Sequence, residues 1–228
     1  MAIRALKRPL LAANGPRRLP AGIGRGIRLE IDFAHHTRLY AGLYEVELNS
    51  SLRRLCPPGT RCFDVGAHFG YDTLVLAKVS GTQVRSFECE PALAERMKRN
   101  LALNPQLAER ISVSLAYVAA QSDPARRQVT LDDATLAEGS FVPGFVKIDV
   151  EGAEADVLRG SRGLLAEHRP ALVIETHDPD VERECQEILG GHGYKPEVID
   201  RRRWLRDHRP IAHNRWLVAA GAHAARPA

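Results

Sequence analysis

From Cys62 onward, short apolar runs alternate with helix-length segments, and this alternation limits the chain to a narrow set of architectures. The pattern predicts strands at 62–65, 83–88, 111–118, 145–150, 171–176, 194–199 and near 216–220. Helices are predicted between them, at 71–79, from Pro91 to about 103, from about 153 to 165 and at 181–189. Strands that are apolar along their whole length, each followed by a helix, specify a parallel sheet covered on both faces. The last two strands are joined by about 16 residues without a clear helix, a long plain connection that permits an antiparallel final strand.

Ahead of this region, the periodicity predicts a helix from about Leu39 to Leu55, stopped by Pro57-Pro58-Gly59. The expected organisation is a basic N-terminal extension over 1–38, one domain over 39–221 and a tail over 222–228. A length of 228 residues suits one α/β domain, and 44% hydrophobic residues exclude a disordered body. Charge is unevenly divided. Residues 1–28 carry seven basic groups and no acid, and residues 201–228 carry seven basic groups and one acid. The middle is acidic, with 18 basic against 27 acidic groups. No apolar run approaches the ~20 residues needed to span a bilayer. Four separated cysteines, with no C-x-x-C, argue against zinc and a disulfide framework, so a cytoplasmic location is expected.

The chemistry-bearing residues fall where an open α/β sheet places its ligands, at the carboxyl ends of strands. In FDVGAHFG (63–70), Gly66 and Gly70 allow a tight turn and a close backbone approach, and the helix that follows favours an anionic group. His68 and Tyr71 occupy places that a dinucleotide fingerprint reserves for glycine, which disfavours NAD. Asp64, two residues before the turn, suits a ligand carrying positive charge as well as a carboxylate, such as an amino-acid moiety with a sulfonium. Glu88 closes the next strand, where an acid binds ribose hydroxyls in nucleotide-binding sheets. Together these favour an adenosine-containing cofactor.

A second cluster, VKIDVEGAE (146–154), is dense in charge for a strand end. Asp149 is expected to project into the cleft, whereas Glu151 and Glu154 fall in the first helical turn, where the dipole favours acids. One strand later, IETH puts Glu175 and His177 on the same edge, and His suits proton transfer near neutral pH. His177 is the expected base, with Asp149 orienting it or the acceptor. A divalent metal on Asp149, Glu175 and His177 is a conceivable variant, but no ligand spacing is specific enough to assign one.

These residues make the chain recognisable. FDVGAHFGYDT (63–73), FECEP (87–91), TLDD (130–133), VKIDVEGAEADVLRG (146–160) and ALVIETH (171–177) resemble the FkbM-type S-adenosylmethionine-dependent methyltransferases. The resemblance runs from about Leu43 to Ala220. It implies a Rossmann-like methyltransferase fold, a mostly parallel seven-stranded sheet with an antiparallel last strand. It also implies S-adenosyl-L-methionine as donor and a hydroxyl on a sugar, lipid or secondary metabolite as acceptor. Carried over by position, Asp64, Gly66, Ala67, His68, Gly70 and Thr73 hold the methionine part. Glu88 holds the ribose, with Glu90 near the adenosine. Asp149, Glu151, Glu175 and His177 face the reacting centre. His68 stands where the family often has Asn, and the 119–129 stretch is shorter than usual beside the substrate mouth, so substrate preference does not carry over. The expected partner is a small-molecule or glycan acceptor. Competing readings are a methyltransferase of RNA or protein, for which the basic ends would supply phosphate contacts, and a non-catalytic nucleotide-binding module. Nucleic acid is not the expected partner, because no basic patch interleaved with aromatics supports base stacking.

Overall fold

The computed structural model describes residues 14–202 and 213–221. It begins with an antiparallel ribbon of β1 (Gly15–Arg18) and β2 (Arg28–Ile31), then two short helices, α1 (Thr37–Tyr40) and α2 (Asn49–Leu55). The alternating part follows as β3 (Cys62–Val65), α3 (Tyr71–Ser80), β4 (Val84–Glu88), α4 (Pro91–Ala102), α5 (Pro105–Ala108) and β5 (Ile111–Leu115). Next come β6 (Tyr117–Val118), β7 (Gln128–Val129), α6 (Leu131–Leu136), β8 (Phe145–Ile148) and α7 (Glu154–Arg159). The chain ends with β9 (Ala171–Thr176), α8 (Pro179–Gly191), β10 (Glu197–Asp200) and β11 (Arg215–Ala219).

Seven strands form one sheet in the order β10-β11-β9-β8-β3-β4-β5. The pairs β3–β4, β4–β5, β3–β8 and β8–β9 are parallel, and β11 runs against both β9 and β10. This is the expected Rossmann-like methyltransferase sheet with its antiparallel last strand. Every residue of β3, β8 and β9 is buried, as strands covered on both faces must be. Alternate residues divide between two apolar layers. Cys62, Phe145, Val173 and Trp216 enter one; Phe63, Val146, Leu172 and Leu217 enter the other. Each fully buried Leu or Phe contributes about 1.5–3 kcal/mol of transfer free energy. The strand order reverses at β3, between β4 and β8, so a cleft opens at the carboxyl ends of these strands.

The N-terminal region differs from expectation. Leu19, Ile23, Ile27, Leu29, Ile31 and Phe33 are buried in the same layer as Leu74 and Val75 of α3 and Met97 of α4. Its backbone is tied there as well. Asn100 Oδ1 accepts from Glu30 N–H at 2.8 Å, and Lys78 Nζ donates to the Ile23 and Arg25 carbonyls at 2.9 and 2.7 Å. The described part of the basic extension is thus one face of the domain. The helix expected over 39–55 is broken at Gly42, whose φ is 72° and whose Cβ, if present, would lie 2.5 Å from Gly22 N. The strand expected to reach 118 ends at Leu115, and Tyr117–Val118 turns away to pair with Gln128–Val129. The expected helix at 153–165 stops at Arg159, followed by a π-helical turn over Leu164–His168. Most of the long connection before β11 lies outside the described residues.

Candidate active site

Asp64 lies on the first strand of the switch point and is fully buried. Its Oδ2 accepts from Thr73 Oγ1, while Oδ1 is buried without a partner. Burial pushes its carboxyl up to about 6, with the Lys147 ammonium pulling the other way. The turn then takes three residues through positive φ: Gly66 at 84°, His68 at 50° and Gly70 at 87°. A Cβ on Gly66 would lie 1.7 Å from the Asp149 carbonyl oxygen. The glycine is therefore required by the close passage of the chain after β8, a demand of the fold that the sequence alone does not reveal.

Glu88, 5% exposed, fixes the far side of the turn. One oxygen accepts from His68 N–H at 2.6 Å, the other from Glu90 N–H at 2.8 Å. Gly66 and Ala67 both donate their N–H groups to the Phe87 carbonyl at 3.0 Å. Asp64, Gly66, Ala67, His68, Gly70, Thr73 and Glu88 are thereby gathered around one turn, with Glu90 exposed at its rim. A buried carboxylate oxygen without a partner, next to an oriented second carboxylate, fits a ligand that brings a cationic group and hydroxyl donors.

Across the cleft, β8 carries Lys147, 2% exposed and paired in register with Asp64. Its Nζ lies 3.0 Å from Asp72 Oδ2 and 3.4 Å from Asp149 Oδ2. Burial would discharge this ammonium, but Asp72, Glu45, Asp149 and Asp64 outweigh it and raise its pKa well above the usual value. His177, just after β9, has Nδ1 3.1 Å from Glu154 Oε1. Its Nε2 faces Glu175 Oε1 at 3.6 Å and Asp149 Oδ1 at 3.7 Å. Glu175 is itself held by Asn214 Nδ2 on Oε1 and by Trp216 Nε1 on Oε2 at 3.1 Å.

The electrostatics follow from this packing. Contact with Glu154, then with Glu175, raises the His177 imidazole to about 10, so the ring is charged at neutral pH. Burial works against ionisation of Glu175, yet His177, Lys147 and Asn214 prevail and hold it at about 2. Burial raises Asp149 to about 7 in spite of Lys147. Of the four residues expected at the reacting centre, Asp149, Glu175 and His177 converge. Glu151 is exposed at a φ of 50° and its charge acts on His68. Sequence reasoning gave no site role to Lys147, Asp72, Glu154, Asn214 or Trp216. Glu154, by sequence an acid favoured by the helix dipole, is 0% exposed and supports His177. Its place in the VKIDVEGAE string was the available signal.

With this geometry established, comparison with known proteins is direct. A family model described as the methyltransferase FkbM domain matches residues 64–209. Among solved structures, the methyltransferase FkbM from Methylobacillus flagellatus KT is 21% identical, with 71% of this chain and 43% of that chain covered and a TM-score of 0.53. This chain thus spans less than half the length of that protein. An S-adenosylmethionine-dependent O-methyltransferase from Thermotoga maritima is 15% identical over 85% of this chain and 73% of that one, with a TM-score of 0.57. Fibrillarin from Aeropyrum pernix, solved with natively bound S-adenosyl-L-methionine, is 17% identical over 73% of this chain and 68% of that one, with a TM-score of 0.52. These likenesses speak to the fold. A search of curated proteins finds no match.

Proposed function

The chain belongs to the FkbM methyltransferase family, whose members use S-adenosylmethionine, and on that premise we propose that it methylates a hydroxyl oxygen of a small-molecule or glycan acceptor. Bound S-adenosylmethionine supplies an electrophilic methyl group on a cationic sulfur. Asp64, the 66–70 turn with Ala67 and His68, Thr73 and Glu88 are assigned to hold it, with Glu90 at the rim. The unpartnered Asp64 oxygen and the doubly anchored Glu88 carboxylate support that assignment.

The observation that carries the acceptor assignment is the convergence of Asp149, Glu175 and His177 on one point beside the turn. Asp149 N–H donates to the Val65 carbonyl at 2.9 Å, so the two halves share backbone contact. A hydroxyl is a poor nucleophile until its proton is withdrawn, and methyl transfer needs its oxygen about 3–3.5 Å from the methyl carbon. The two carboxylates of this trio can orient the hydroxyl and help draw off its proton, while the His177 imidazole, charged at neutral pH, holds them in place rather than serving as the base expected from the sequence. An amine acceptor fits less well, because the acids gathered at this point, Asp149, Glu154 and Glu175, favour its protonated, non-nucleophilic form. Glu151, expected at the reacting centre, is exposed and is given no part in this step.

The test is a transfer assay with methyl-labelled S-adenosylmethionine and three acceptor pools: polyhydroxylated small molecules and glycans, RNA, and protein. Label is expected in the first pool as an ether. Label found only in RNA or protein would overturn the acceptor class, and absence of donor binding by calorimetry would overturn the enzyme reading itself.

A further inference from the structure

We infer that Asp149, Glu175 and His177 form a divalent-cation site whose open positions take the acceptor's oxygen. Among the described residues, one ligand atom from each of these three lies within 4.8 Å of the other two. His177 Nε2 stands 3.6 and 3.7 Å from the two carboxylate oxygens, beyond hydrogen-bond reach of either. Ligands on one ion at bond lengths of about 2.0–2.2 Å lie roughly 3–3.5 Å apart, so small side-chain movements close the set around a cation.

A second and independent feature is the support behind each donor. Glu154, 0% exposed, takes the Nδ1 side of His177 and so directs Nε2 into the cleft, the arrangement in which a carboxylate orients a ligating imidazole. Asn214 and Trp216 grip Glu175, and Lys147 grips the Asp149 oxygen that faces away from the histidine. The other Glu154 oxygen is buried without a partner. Three acids, Asp149, Glu154 and Glu175, converge on the one imidazole of His177, and Lys147 reaches only the Asp149 oxygen turned away from it, so the side facing the cleft is rich in oxygen donors. Asp149 and His177 remain 22% and 27% exposed, so one side of the set is open to water and acceptor. One imidazole with two carboxylates suits Mn²⁺ or Mg²⁺, ions that keep further oxygen ligands. A cation there lowers the hydroxyl's affinity for its proton as a Lewis acid, so the proton passes to water on the open side of the set as the oxygen takes the methyl group from sulfur. It also explains how a histidine flanked by acids serves methyl transfer without acting as a base.

The use of the site rests on the methyltransferase reading, but occupancy is measurable apart from it. Purified chain is titrated with Mn²⁺, free ion being read by electron paramagnetic resonance, with and without S-adenosylmethionine. One Mn²⁺ per chain is expected, with a single imidazole-nitrogen coupling in the bound-ion spectrum of the unaltered protein. Glu175→Gln should weaken Mn²⁺ binding at least tenfold while S-adenosylmethionine affinity stays within threefold. No Mn²⁺ bound by a chain that still binds S-adenosylmethionine overturns the cation site and leaves the methyltransferase reading standing. Bound Mn²⁺ without nitrogen coupling also overturns it. Coupled Mn²⁺ in a chain that does not bind S-adenosylmethionine supports the site and removes the enzymatic reading instead.

Discussion

The turn at 66–70 and the trio at Asp149, Glu175 and His177 lie side by side, yet they are assembled from different parts of the chain. On the turn side the contacts are local: Glu88 reaches His68 at a separation of 20 residues, and Thr73 reaches Asp64 at 9. On the trio side they are remote, with Glu175 held by Asn214 and Trp216 from 39 and 41 residues away. The turn side uses backbone N–H groups, which any sequence supplies once the chain bends correctly. The trio side uses charged side chains whose state depends on neighbours brought in by other strands. The first can therefore bind with little dependence on the rest of the site, and the second acts only when the whole sheet edge is in place.

Four substitutions or conditions test that division, beginning with the largest effect. Asp149→Asn keeps the shape of the side chain and removes its charge. On the true acceptor, kcat/KM should fall at least ~100-fold, about 2.7 kcal/mol, because proton or charge handling contributes on that scale. S-adenosylmethionine affinity by calorimetry should stay within threefold; near-normal turnover would dissolve the division. Gly66→Ala should break both sides together. Its Cβ meets the Asp149 carbonyl at 1.7 Å and the residue sits at a φ of 84°, so about 2–3 kcal/mol of stability should be lost. Urea unfolding measures this, and a variant as stable as the parent would show that the two chain segments can separate freely. Asp64→Asn should do the reverse of Asp149→Asn, weakening S-adenosylmethionine about tenfold, roughly 1.4 kcal/mol, with less effect on kcat at saturating donor.

The same division explains what could be read before folding. The sheet was legible because β3, β8 and β9 are uniformly apolar, and strand–helix alternation admits few topologies. The turn was legible because Asp64, His68, Thr73 and Glu88 all lie within one β3–α3–β4 unit. Lys147 and Glu154 were not, because their roles come from Asp72 on α3 and His177 after β9, and spacing along β8 and α7 does not announce those neighbours. The N-terminal face was missed for another reason. Leu29, Ile31 and Phe33 alternate as a strand should, but the prolines, glycines and arginines around them read as an extension. Basic residues there stay exposed at Arg18, Arg25 and Arg28 while the apolar ones between them enter the core.

A third region, away from both sides, provides the smallest and most diagnostic effect. Glu182 on α8 is 4% exposed and accepts from Arg215 Nε and His213 Nε2, each at 2.9 Å. Burial would raise its carboxyl, but Arg215 and His213 outweigh burial and hold it below the ordinary value. A depressed folded value means that the stabilisation is fully present above the unfolded pKa, near ~4.3, and is lost as pH falls through the folded one. Arg215 is 37% exposed, so solvent screening limits the contribution to about 1 kcal/mol. Glu182→Gln should therefore lower the melting temperature by a few degrees at pH 7, and the gap to the parent should close by about pH 3. S-adenosylmethionine and Mn²⁺ affinities should remain within twofold, because this anchor ties α8 to β11 through side chains that line neither half of the cleft. A gap that persists at pH 3 would mean the anchor works through shape rather than charge. A shift in either affinity would mean that the trio side extends to the far edge of the sheet, through Thr176, whose hydroxyl donates to Glu182 at 3.3 Å.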